Sequence, residues 1–334
     1  MKRANHLYDR ISIHENLHEA FKKAVKGKQT KKEVIAFQNH FDANIQKLRD
    51  QIVSEKPDIG NYHYFVVRDP KVRSICAASF QERVMHHAVM NICEPVLDSY
   101  AIFDSYACRK GKGNRKSLAR AQQFARKNIW YLKLDIRKYF DSIDHSILMT
   151  LLARRFKEKK LLNLFQKVFD TYHTRMGRGL PIGNLISQHL ANFYLGAFDH
   201  WIKEVRKING YVRYMDDFIL FSNEKAALKI ELEALTFFLK QQLNLELKKN
   251  IQLNSTIRGI PFLGFRVYPA HIHLLASSKK RFSKKLREYQ ENYIKGRWSE
   301  SDLNRHMEPL ISFTDAGESR SFRRMVFNRF GVLS

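Results

Sequence analysis

Apolar residues recur along the N-terminal part of the chain at the spacing of a helix. Phe37, Phe41, Ile45, Leu48 and Ile52 follow at steps of four, four, three and four, which sets them on one stripe. From Tyr62 the pattern changes. YHYFVVRDPKVRSICA is rich in β-branched and aromatic residues and is interrupted by Asp69-Pro70, so it predicts strand structure with a turn at that dipeptide. A helical stretch follows from Gln81 to Leu97. YLKLDI (131–136) and YVRYMDDFILF (211–221) predict strands, and residues 222–243 a charged helix. GIPFLGFRVY (259–268) predicts a strand pair or bend, and the last sixty residues predict basic helices. Strands gathered together and then followed by helices predict an α+β fold rather than a doubly wound sheet.

Charge sharpens this picture. The 334 residues include 59 Lys and Arg against 33 acids, a formal charge of +26. Self-repulsion on that scale calls for a polyanionic partner, and nucleic acid is the natural one. No apolar run reaches the roughly 20 residues that a membrane span needs, and MKRANHLYDR lacks the apolar core of a secretory signal. The basic residues are clustered. Six lysines lie between Lys22 and Lys32, and residues 109–134 hold nine Lys and Arg without an acid, with Gly111 and Gly113 at the start of the run. Glycine there lets backbone N–H groups approach a phosphate. Cys76, Cys93 and Cys108 match no metal spacing and are read as reduced packing residues; the scattered histidines, including His86-His87 and His271–His273, lack partners at zinc spacing.

The candidate chemistry lies in carboxylates placed inside apolar strands. In YLKLDI, Leu132, Leu134 and Ile136 share one face of a strand and Asp135 falls on the other. In YVRYMDDFILFS, Asp216 and Asp217 interrupt an apolar run, so a hairpin would carry at least one of them at its tip. Two separated carboxylate sites of this kind suit a pair of divalent ions, roughly 3.5–4 Å apart, that clamp an in-line phosphoryl displacement. Asp141 and Asp144 are read as structural, Asp144 as a helix N-cap.

These stretches resemble the motifs of reverse transcriptases. LDIRKYFDSI resembles motif A, GLPIGNLISQHLANFYL (179–195) motif B and YMDDF motif C; LNLELKKN resembles motif D and GIPFLGFRVYP the primer-facing motif after it. FVVRDPKVRSI and DSYACRKGKG resemble the fingers motifs, so the likeness spans roughly residues 60–290 in the family's order. It implies a right-hand polymerase: an N-terminal helical extension and fingers over 1–130, a palm with an antiparallel sheet over 131–270, of which 150–183 partly returns to the fingers, and a helical thumb over 271–334.

Within the superfamily, Ile182-Gly183-Asn184-Leu185-Ile186-Ser187-Gln188, with YACRKGKG and GIPFLGFRVYP, resembles the enzymes of diversity-generating retroelements. That resemblance implies error-prone cDNA synthesis from a template-repeat RNA, with misincorporation opposite adenines. It implies as partners the template RNA, a cDNA or primer, dNTPs and a basic, oligomeric accessory variability protein. The cofactor would be two Mg²⁺ ions, for which Mn²⁺ can substitute, and the setting cytoplasmic, in a bacterium, an archaeon or a phage. By position, Asp135, Asp216 and Asp217 would hold metal, helped by the Ile136 backbone. Arg73 would grip the triphosphate, Phe140 would block a ribose 2′-hydroxyl, and Ile182, Gly183 and Gln188 would line the nucleotide. Lys249 would give a proton to pyrophosphate, although the stretch around it is about one residue shorter than the family's and lacks its proline. No Trp and Gly-His mark the middle of the thumb, where PLISFTDAGES stands, and no endonuclease or RNase H signature follows. A retron, abortive-infection or group II intron-like reverse transcriptase, or a catalytically inactive RNA-binding relative, stays open as an alternative.

Overall fold

The computed structural model describes residues 3–69 and 71–330. Of the turn expected at Asp69-Pro70, Pro70 therefore lies outside the described residues. Helices α1 (Tyr8–Ile11), α2 (His14–Val25), α3 (Lys32–Asn39) and α4 (Phe41–Val53) precede an antiparallel ribbon, β1 (His63–Val67) and β2 (Arg73–Ala77). Helices α5 (Phe80–Tyr100) and α6 (Asn114–Lys127) lead to β3 (Trp130–Asp135). Next come α7 (Tyr139–Ser142), α8 (His145–Ala153), α9 (Lys159–Asp170), α10 (Leu185–Tyr194) and α11 (Gly196–His200). Strands β4 (Tyr211–Tyr214) and β5 (Asp217–Ser222) are followed by α12 (Lys225–Leu243). Short strands β6 (Gln252–Ser255), β7 (Ile260–Phe262), β8 (Phe265–Val267) and β9 (Ile272–Leu274) then precede α13 (Ala276–Ile294), α14 (Glu300–Thr314) and α15 (Arg320–Phe330). The apolar stripe from Phe37 to Ile52 is shared by α3 and α4, with the break at His40. No helix among the described residues is long and apolar enough to cross a membrane.

The chain divides into two compact units: residues 1–103, 136–207 and 235–248 form the first, and 104–135, 208–234 and 249–334 the second. The first is organised on α5, whose start is fixed by Ser79, its side chain accepting from the Glu82 N–H. Val84, Met85, Ala88, Val89, Cys93 and Leu97 are buried along α5, and α2 and α10 pack against it. Asp144 caps α8 by accepting from the N–H groups of Ser146 and Ile147, the structural part expected of it.

The second unit contains an antiparallel sheet in the order β4-β5-β3-β6 and a smaller sheet β7-β8-β9. In the larger sheet Tyr131, Val212, Ile219 and Phe221 lie on one face. That face packs against Leu118, Ala121 and Ala125 of α6 and against Ile260, Phe262, Phe265 and Val267 of the smaller sheet. Each large side chain fully buried in this way stabilises the fold by about 1.5–3 kcal/mol. Helices α13–α15 close around Phe282, Leu286, Leu303, Met307 and Val326, and a capping box between Ser299 and Asp302 opens α14.

One buried pair in the first unit makes its stability depend on pH. Glu82 and His86 are each 1% exposed, with Glu82 Oε1 3.4 Å from His86 Nε2, while Glu82 Oε2 accepts from the Gly60 N–H at 3.0 Å. Burial pushes Glu82 up to about 7 and His86 down to about 3. Because Glu82 is raised, the folded state holds a proton that the unfolded state has released, and this contribution is lost as pH rises from about 4.5 through 7. His86 acts oppositely, disfavouring the fold as pH falls below 6.5. Replacing Glu82 with Gln, which mimics the protonated acid, is expected to raise the unfolding free energy at pH 8 by about 1–3 kcal/mol and to leave it unchanged near pH 4. Urea unfolding at the two pH values checks this.

Candidate active site

The β4–β5 hairpin is as tight as a hairpin can be. Tyr214 pairs with Asp217, so Met215 and Asp216 alone make the turn. Met215 has φ +56°, the left-handed region that the first position of such a turn demands. A non-glycine residue there costs of order 1–2 kcal/mol, which the pairing on both sides holds in place. The tip thus fixes Asp216 beside the first residue of β5.

Strand β3 brings the third acid. It pairs with β5 so that Asp135 stands directly opposite Asp217, two rows beyond the Lys133–Ile219 pair. Alternation puts Tyr131, Lys133 and Asp135 on the face that carries Ile219 and Asp217. The far end of this face is the apolar one covered by α6 and the small sheet; the near end is polar. Like charges directly opposite one another destabilise a ladder. Burial first, then the charges of Asp135 and Asp216, push Asp217 up to about 6, against the opposing pull of Lys133. The Lys133 ammonium lies 2.5 Å from Asp217 Oδ1, with side-chain exposures of 13% and 22%. The contact is ionic: Asp217 Oδ1 is buried without an aligned hydrogen-bond donor.

This set fits a divalent cation that comes with its own oxygen ligands. Among the described residues no three His, Cys, Asp or Glu side chains form a ready-made cage. Mg²⁺ prefers one or two carboxylates with phosphate oxygens and water to an all-protein cage, and Asp135, Asp216 and Asp217 supply hard oxygen donors whose repulsion such an ion would relieve. Lys249 is exposed and precedes β6 by three residues. The antiparallel β3–β6 register puts that end of β6 beside the end of β3 that carries Asp135.

The residues expected to contact a nucleotide all belong to the first unit, where backbone bonds gather them. The Cys76 N–H on β2 donates to the Ile182 carbonyl at 2.8 Å, and the Leu180 N–H donates to the Phe140 carbonyl at 2.9 Å. Asn184, the N-cap residue of α10, accepts from the Ala78 N–H through its side chain at 3.1 Å. Arg73 on β2 is exposed, as is Gln188 on α10, while Phe140 and Ile182 are half-buried. Gly183 has φ +117°, and a Cβ there would stand 2.7 Å from Ile75 Cγ2 and 3.2 Å from the Cys76 carbonyl oxygen. Ile136, next after Asp135, is buried. Sequence reasoning passed over Lys133, although a lysine two residues before a strand aspartate must share its face. It also passed over the bond that the Asn184 side chain accepts from the Ala78 N–H, which no local pattern signals.

Comparison with known proteins bears on the family and the fold. The family described as reverse transcriptase (RNA-dependent DNA polymerase) matches residues 55–267, more than half of the chain. Protein YkfC of Escherichia coli K12 is 24% identical over 277 residues, covering 67% of this chain and 71% of that protein. The group II intron-encoded protein LtrA of Lactococcus lactis is 24% identical over 169 residues, 48% of this chain and 28% of that protein. A putative COX1/OXI3 intron 1 protein of Saccharomyces cerevisiae is 23% identical over 141 residues, of which the chain spans 17%. Among solved structures, apo telomerase from Candida tropicalis has a TM-score of 0.54 at 11% identity, covering 88% of this chain and 65% of that one. The fold is therefore the α+β right-hand polymerase fold.

The Gly183 geometry makes a direct prediction. Gly183→Ala must move Ile75 or the Cys76 peptide and adopt an unfavourable φ, so it is expected to cost about 1–3 kcal/mol and to disturb the Cys76–Ile182 bond. Chemical denaturation, with hydrogen exchange at the Cys76 amide, checks both effects.

Proposed function

The chain belongs to the reverse transcriptase family of RNA-dependent DNA polymerases, and from that membership we propose that it extends a primer along template RNA by two-metal-ion nucleotidyl transfer. The observation that carries the reading is the placing of Asp135 opposite Asp217, with Asp216 at the adjoining hairpin tip. In the reaction the primer 3′-oxygen attacks the α-phosphorus of a dNTP, a P–O bond forms, and the bond to the β-phosphate breaks to release pyrophosphate. Two Mg²⁺ ions, held by Asp135, Asp216, Asp217 and the Ile136 carbonyl, would activate the attacking oxygen and neutralise the leaving group. Arg73 offers a guanidinium fork for the triphosphate, and Phe140 a ring against a ribose 2′-hydroxyl. Gly183 keeps the backbone open to the base, Ile182 and Gln188 line the nucleotide, and Lys249 protonates the departing pyrophosphate. On this reading residues 1–130 are extension and fingers, 131–270 palm and 271–334 thumb.

The finer reading is a diversity-generating retroelement enzyme, acting with a basic accessory protein and copying adenines badly. Its support is Ile182-Gly183 with Ser187-Gln188, where group II intron enzymes carry Gln-Gly and Ser-Pro. An apolar Ile182 offers the nucleotide no hydrogen bond, and a site without that bond discriminates weakly. The intron-encoded relatives favour a second reading, a group II intron-like enzyme of ordinary fidelity.

Primer extension on an RNA template with Mg²⁺ is expected for the wild type and reduced about 10³-fold by Asp216→Asn; equal rates would overturn the polymerase reading. Sequencing the products separates the finer readings. Errors concentrated opposite template adenine, and fewer of them in Ile182→Gln, are expected; an even, unchanged error spectrum favours the group II-like alternative.

A further inference from the structure

Three segments of the first unit enclose a cavity of about 520 Å³ that carries five cations. Arg137 and Lys138 come from the turn before α7, Arg175 and Arg178 from a tight turn after α9, and Lys240 from the end of α12. Hydrogen bonds pin these walls together. The Arg137 N–H donates to the Glu246 carbonyl at 2.8 Å, the Gly179 N–H to the Ile143 carbonyl at 2.9 Å, and Thr174 Oγ1 to the Asp141 carbonyl at 2.8 Å. The Glu246 carboxylate holds two of the cations, Arg137 at 3.2 Å and Lys240 at 3.1 Å, and Asp144 lies 3.7 Å from Arg178. With Asp141, three carboxylates stand against five cations, so positive charge remains in surplus. No aromatic ring lines the cavity among the described residues, which leaves a base nothing to stack on. Guanidinium and ammonium groups gathered in this way recognise phosphate oxygens without regard to sequence. Arg137, Lys138, Arg175 and Lys240 are exposed. Because they stay in water and do not close over the cavity, the site suits a strand passing its opening better than a small anion sealed inside.

We propose that this cavity grips the sugar-phosphate backbone of the template RNA, an anchoring contact apart from the residues that place the nucleotide. The choice of RNA rests on the polymerase reading above, and the contact deepens it. The formal charge of +26 belongs to the whole chain and attracts any polyanion. The cavity adds cations on walls that are already fixed to one another, so less freedom is lost when a phosphate arrives. The Leu180–Phe140 and Thr174–Asp141 bonds run from the walls to the segment that carries Phe140. Strand and nucleotide are thereby referred to one frame.

The salt dependence of RNA binding is the test. Fluorescence anisotropy follows a labelled single-stranded RNA oligonucleotide binding to the full-length protein across a range of KCl, without Mg²⁺ or dNTP. Each phosphate contact contributes about 0.7 to the slope of log affinity against log salt for a single strand. Lys138→Gln/Arg175→Gln is therefore expected to make the slope shallower by about 1.4, and Lys138→Arg/Arg175→Lys to preserve it. Lys47→Gln/Arg49→Gln removes the same charge from exposed positions of α4 and is expected to leave the slope as it is. Equal changes in the two Gln pairs would mean that only overall charge attracts RNA and would overturn the proposal, as would an unchanged slope in the cavity pair. Inorganic pyrophosphate is the second probe. If it raises the unfolding midpoint of the wild type, and the cavity pair loses that effect while keeping the RNA slope, the cavity takes a compact polyphosphate and the proposal is overturned. Should the cavity pair fail to fold, Arg175→Gln alone carries the test, with a change of about 0.7. The polymerase reading fails separately, through a wild-type protein that binds RNA but extends no primer.

Discussion

The register between β3 and β5 is the constraint on which the candidate site depends. It sets Asp135 opposite Asp217, an arrangement that side-chain electrostatics alone would oppose, and backbone hydrogen bonds with the apolar rows beneath impose it. Tyr131, Ile219, Phe221 and Val212 supply those rows, and α6 with the small sheet covers them. Burial first, and then the charges of Asp135 and Asp216, raise the affinity of Asp217 for its proton. The protein keeps one cation of its own, the Lys133 ammonium, within the ladder.

The first unit solves a different problem by different means. Residues far apart in the chain, Arg73, Phe140 and Ile182, have to be referred to one another without a sheet that spans them. Single backbone bonds do this, from Cys76 to Ile182 and from Leu180 to Phe140, with the Asn184 side chain tying α10 to the segment after β2. Each such bond contributes only about 1 kcal/mol, so the arrangement rests on tight steric fit as well. At Gly183 the fit is close, because its missing Cβ makes room for Ile75.

Much of this was legible in the sequence because it is periodic. The alternation in YLKLDI put Asp135 on its own face, and the Asp-Asp pair inside a β-rich run marked a hairpin. Strand, turn and helix signals around them fell within a few residues of the observed elements. The long-range facts were not legible. Nothing local says that Lys133 pairs with Asp217 and not with Asp135, since that depends on which residue of β5 stands opposite. The break at His40 escaped notice because the apolar spacing runs through it unchanged. The positive φ of Met215 was hidden for a related reason: a turn that would suit glycine or asparagine carries a methionine, and the pairing of its neighbours overrides that preference.

That turn has a consequence for how the chain can change over time. With Met215 and Asp216 as its whole length, the hairpin has no slack to absorb an added or deleted residue. One extra residue passed into β5 would move its side chains to the opposite face, taking the carboxylate away from Asp135 and putting Phe218 in its place. Replacements at the tip alter chemistry or strain by degrees, whereas changes of length alter topology at once. Lineages of this protein are therefore expected to vary in the spelling of the hairpin outside its two aspartates and hardly at all in its letter count, and libraries built on it should be designed in the same grammar.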